Sequence, residues 1–105
     1  LDEKLVDKQL LKDFKSRMRI FHSADDDNLE KILISSTAAI KRWCGSDDVK
    51  KPEIRELVME RSRYVFNDSL EFFNENFQSE LMAVSLANYE EGVDGKDEVP
   101  ETKSQ

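Results

Sequence analysis

From Ile54 to Phe73 the chain places apolar side chains on two nearly opposite sides of one helical stretch. Ile54, Leu57, Val58, Val65 and Phe72 mark one side. Met59, Phe66, Leu70 and Phe73 mark the other, joined by Phe77 if the helix runs on. A helix that is apolar on two faces has to be covered twice. It either lies centrally in a bundle or turns one face to a second subunit. Only three glycines and two prolines occur in 105 residues, with both prolines placed to punctuate helices, and this usage points to an all-α protein. The expected architecture is one small bundle of about four helices over residues 1–90. An acidic C-terminal extension follows over residues 91–105.

The other helices follow from their periods. Leu10, Leu11, Phe14 and Met18 recur at helical spacing, with Leu5 and Val6 extending the stripe toward the N-terminus. Arg19 and the residues after it lose the period and read as a connector. At about 100° per residue, Ile32, Leu33, Ser36, Ile40 and Trp43 all fall within about 60° of Leu29. An amphipathic helix is therefore expected from Asp26 to Cys44, with Gly45 at its C′ position. Pro52 suits the first turn of the next helix. The asparagines of F-N-E-N-F-Q-S, residues 73–79, read as a break, with a cap at Asn76 or Ser79. A last helix is expected over residues 80–89, with Leu81, Met82, Val84, Ser85 and Tyr89 near one side.

Asp25, Asp26 and Asp27 lie beside His22, the only histidine. Calcium loops need alternating oxygen ligands, a turn glycine and a distant glutamate, and D-D-D-N has none of that spacing. Three carboxylates at a helix start complement the positive end of its dipole, so the cluster reads as a cap. His22 has no nucleophile or base partner and reads as a turn residue. Cys44 reads as core filler, because no second cysteine or suitably spaced histidine accompanies it. No nucleotide-binding glycine motif and no H-E-x-x-H occurs. The expectation is a protein without catalytic residues, metal or cofactor.

The net charge of −7 argues against sequence-specific duplex binding, whose affinity comes from neutralising phosphates. One cysteine implies no disulfide framework and a reducing compartment. No apolar run approaches the roughly 20 residues of a membrane span, and no signal-peptide pattern opens the chain. A soluble protein of the cytosol is expected. Arg17, Arg19, Arg55, Arg61 and Arg63 lie among glutamates and read as ion-pair partners within or between chains. Trp43 and the phenylalanines are assigned to the core. Ile34, about 140° from Leu29, is a candidate exposed contact. With Met59, Phe66 and Phe73 it makes up the expected subunit interface.

The order of these features resembles the bacteriophage head–tail connector, or adaptor, family over residues 5–90. The resemblance runs from L-L-K-D-F-K-S-R-M-R-I through D-D-D-N-L-E-K-I-L-I-S-S and S-S-T-A-A-I-K-R-W-C-G. It continues into P-E-I-R-E-L-V-M-E-R-S-R-Y-V-F-N-D and F-Q-S-E-L. It implies a structural virion protein at the head–tail junction, assembled as a ring beneath the portal and expected to be a dodecamer. Such a ring contacts the portal protein and the next neck or tail protein. Packaged DNA passes through its channel without sequence-specific binding, and an acidic wall suits that passage. In several members a C-terminal extension docks onto the portal. By position, Val93, Val99 and Pro100 are the docking candidates here. The alternative is a small helical regulatory protein of the cytosol acting as a dimer.

Overall fold

The computed structural model describes residues 8–96, with side chains as far as Tyr89. It is all-α: α1 (Lys8–Met18), α2 (Asp26–Cys44), α3 (Pro52–Phe66), a 3-10 turn (Leu70–Phe72) and α4 (Phe73–Lys96). Leu5 and Val6, which extend the first stripe, and Val99 and Pro100, two of the docking candidates, lie outside the described residues. Val93 lies on α4.

Helix α2 begins and ends where its local chemistry puts it. Asp26 and Asp27 occupy the first turn, and Asp25 precedes it without a side-chain capping bond. The carboxylates act here through the helix dipole, and through Asp26, which accepts from Lys15 Nζ at 2.6 Å and so ties α1 to α2. His22 closes the preceding turn, its Nδ1 accepting from the Ala24 N–H at 3.2 Å. At the other end Gly45 adopts φ +85° and donates its N–H to Lys41 O at 2.8 Å.

The stretch expected as one helix from Ile54 to Phe73 is two. Asp68 takes φ +60°, Ser69 N–H reaches back to Tyr64 O at 2.8 Å, and Asp68 N–H to Val65 O at 3.0 Å. This 6→1 and 5→2 pattern is a Schellman stop, made with aspartate in place of glycine. The same device ends α1. Arg19 takes φ +61°, with Ile20 N–H on Lys15 O at 2.9 Å and Arg19 N–H on Ser16 O at 3.2 Å. The break expected within residues 73–79 is present as a kink at Phe77, directly after Asn76. α4 begins at Phe73 and bends at Phe77, where φ −115° and ψ 16° leave the helical region. Helix α4 also continues past residue 90 to Lys96, farther than its composition suggests.

Both faces of α3 are covered by its own chain. Ile54, Leu57, Val58 and Met59 are buried together with Leu10, Phe14, Leu29, Leu33, Ile40 and Phe73. An aromatic group locks α3 to α4. Phe73 packs against Tyr64, Phe77 and Trp43 at ring-centroid distances of 5.6, 4.9 and 6.3 Å.

Polar contacts hold α1 against α3. Arg17 bridges Glu56 and Glu60 at 2.9 and 2.7 Å, and Arg55 Nη2 donates to Asp13 at 2.6 Å. The Arg17 hydrogen bond holds the Glu56 carboxyl below its usual range, and hydrogen bonds from Arg55 and Gln9 do the same for Asp13. A depressed folded-state pKa stabilises the fold above the unfolded value and loses that effect as pH falls through the folded value. Arg17→Ala should therefore lower the thermal midpoint near pH 7. Its curve should converge on the parent's as pH falls from 7 through the depressed folded-state value of Glu56. Melting curves across that range check this; a constant offset would remove the ion pairs from the account.

Candidate interaction surface

The surface that stands out is apolar and lies along α4. In a chain with 37% charged residues, L-M-A-V-S-L-A-N-Y, residues 81–89, carries no charge. Helical geometry splits this run into two sides. Leu81, Val84, Ser85 and Asn88 face the bundle and are half-buried. Met82, Leu86 and Tyr89 point outward, 66%, 58% and 67% exposed. Their spacing of four and then three residues keeps them on one stripe.

Trp43, in the last turn of α2, stands beside that stripe at 36% exposure. With Leu81, Met82, Ala83, Ser85, Leu86 and Tyr89 it lines an open groove of about 710 Å³. A neighbouring hollow joins Trp43 to Asn74, Glu75 and Gln78. One side of the Trp43 ring packs toward Phe73, and Arg61 lies over it at 5.9 Å from the ring centroid. Exposed apolar surface of this extent in one place marks an interaction site.

Arg61 is unlike the other arginines of α3. Arg55 and Arg63 each have a carboxylate, whereas Arg61 Nη1 donates only to the Ser36 hydroxyl at 3.0 Å and its buried Nε has no partner. Burial, reinforced by Arg42, lowers its pKa. Arg42 likewise has no ion-pair partner among the described residues. Two uncompensated guanidinium groups therefore flank the indole of an otherwise acidic protein.

The expected interface residues are elsewhere. Phe73 is fully buried and Met59 is 6% exposed, both inside the core of their own chain. Ile34 and Phe66 are half-buried against that core. An intersubunit role for Met59 and Phe73 is corrected on this ground, since α2, α3 and α4 already cover them. Assignment of Trp43 and all the phenylalanines to the core is also corrected. Phe21 is 85% exposed, Phe72 is 52% exposed, and Trp43 sits at the margin. Cys44 is buried, its Sγ 3.8 Å from Leu81 O, and burial raises its thiol pKa. Among the described residues no group of three or more histidine, cysteine or acidic side chains is arranged to hold a metal. No helix among them is long and apolar enough to cross a membrane.

The exposure of the outward stripe predicts that folding does not depend on it. Leu86→Glu should leave the unfolding free energy from urea titration within about 0.5 kcal/mol of the parent's, as exposed substitutions away from caps and cores usually do. A loss of several kcal/mol would show that Leu86 belongs to the core.

The chain matches no protein-family model, no curated protein and no solved structure. What defines the site is thus its own geometry: a charge-free apolar groove, an indole at its edge, and two unpaired arginines beside it.

Proposed function

We propose that this protein is a structural assembly module without catalytic activity, and that its role is that of a bacteriophage head–tail connector. It forms a ring beneath the portal at the head–tail junction and joins the head to the next neck or tail protein. The exposed groove of Trp43, Met82, Leu86 and Tyr89 carries this reading, because a stable small bundle gains nothing from leaving such a surface in water. The connector role within that class rests on the order of the sequence features from L-L-K-D-F-K-S-R-M-R-I to F-Q-S-E-L. The acidic balance suits a channel through which DNA slides without binding.

Co-sedimentation with purified phage portal rings tests the proposal. The parent chain should co-migrate stoichiometrically, and Leu86→Glu should abolish co-migration while remaining folded. Failure to associate with portals from several phages, alongside a stable free dimer, would favour the small regulatory protein instead.

A further inference from the structure

Two exposed features of the folded monomer meet nothing of complementary chemistry within it. The first is the connector between α1 and α2. The Schellman stop at Arg19 turns the chain so that Ile20 packs inward and Phe21 projects into solvent at 85% exposure. Four residues further on, Asp25 begins an acidic run in which Lys15 engages Asp26, while Asp25 and Asp27 are exposed without an ion-pair partner among the described residues. This loop is an aromatic knob beside two free carboxylates. The second feature is the groove, an aromatic-edged apolar hollow; exposed Arg42 lines an adjoining hollow with Trp43 and Tyr89, and half-buried Arg61, bonded to the Ser36 hydroxyl, lies over the Trp43 ring without a carboxylate partner.

The two are chemically complementary, and one molecule cannot join them. Asp26 and Trp43 stand near opposite ends of α2. At 1.5 Å per residue, about 26 Å of helix lies between them.

We infer that the Phe21 loop of one copy docks into the α4–Trp43 groove of a second copy, with Asp25 and Asp27 facing Arg42 and Arg61. Phe21 fills the apolar hollow between Trp43 and Leu86, where an aromatic anchor in a desolvated pocket contributes most. The carboxylates supply the charge that the arginines lack, and so fix which end meets which. The contact is head-to-tail: each copy still offers one knob and one groove. Heterologous contacts of this kind propagate, and they close into a ring when the rotation between copies allows it. The inference rests on the reading of the protein as an assembly module and supplies its self-contact.

Sedimentation velocity on the full chain, from ~1 µM to ~1 mM, tests it. The parent should associate as concentration rises. Phe21→Asp and Leu86→Glu should each weaken association by about tenfold or more. Both positions are exposed, and circular dichroism confirms that both variants fold. Mixing the two variants is decisive, because one keeps its groove and the other keeps its knob. The mixture should yield a 1:1 dimer and nothing larger. A parent that stays monomeric throughout would overturn the inference, as would association that survives Phe21→Asp, which would mean groove-to-groove pairing. If the parent is monomeric yet Leu86→Glu still loses portal binding, only the self-contact falls. If portal binding is absent as well, the assembly reading falls with it.

Discussion

Phe73→Ala should destabilise the protein by about 3–5 kcal/mol, the largest effect of any single truncation considered, measured as the shift in a urea unfolding curve. Phe73 opens α4, is fully buried, and touches three other rings at 4.9–6.3 Å. Removing it leaves a cavity between Tyr64, Phe77 and Trp43 that α4 cannot collapse into. Its helix is already bent at Phe77 and anchored farther along by Asn88. The loss includes ring–ring terms of about 0.5–1.5 kcal/mol per favourable pair beyond area burial. A domain of this size has roughly 5–15 kcal/mol in total, so the variant should melt at a visibly lower temperature. An effect below about 1 kcal/mol would mean that Phe73 is not in the monomer core and would restore it as an interface residue.

The second large effect lies at the end of α2. Gly45 sits at φ +85°, and a Cβ built there would stand 2.9 Å from Asn88 Nδ2. That amide is engaged, donating to Cys44 O at 3.0 Å while its Oδ1 accepts from Lys51 Nζ at 3.3 Å. Gly45→Ala therefore adds left-handed strain of about 1–2 kcal/mol. It also pushes away the side chain that satisfies the last carbonyl of α2, a hydrogen bond worth about 1 kcal/mol net. The sum, roughly 2–3 kcal/mol, should shrink in an Asn88→Ala background, because the displacement cost is then already gone. A double-mutant cycle by urea unfolding checks this. Strict additivity would show that Asn88 moves aside freely and that strain alone acts.

These two sites also show what could be read from the sequence. The limits of α2 were legible because both ends carry local chemistry: carboxylates at 25–27 and a glycine at 45. The all-α class followed from period and from the scarcity of glycine and proline. The end of α3 was misread because Phe72 and Phe73 continue the apolar period by coincidence. The stop is made by Asp68, a residue that tolerates the left-handed region without advertising it as glycine does. N-D-S at 67–69 was the available signal. Lys96, the last helical residue of α4, lies beyond the point where composition alone placed a tail, because Gly92 and low hydrophobicity weaken a helix without forbidding it.

The interaction surface was less legible, for a tertiary reason. Periodicity grouped Leu81, Met82 and Tyr89 together because all are apolar. Which of two adjacent stripes on α4 turns inward depends on where α2 and α3 stand. Nothing local places Phe21 in solvent either; the turn at Arg19 does that. The absence of charge from 81 to 89 is the one local signal, but it covers inward and outward residues of α4 alike and does not separate them.

Trp43 offers the most direct measurement of the central claim, that the α4–Trp43 groove is the docking surface. It is the only tryptophan, so the protein's indole fluorescence reports that groove and the hollows adjoining it. Its emission maximum and acrylamide quenching should be followed as the full chain is concentrated or mixed with portal rings. The account expects emission to move to shorter wavelength and quenching to fall as complexes form, with Leu86→Glu showing neither change. Association that proceeds with Trp43 emission and quenching unaltered would place the contact elsewhere on the molecule and contradict the account.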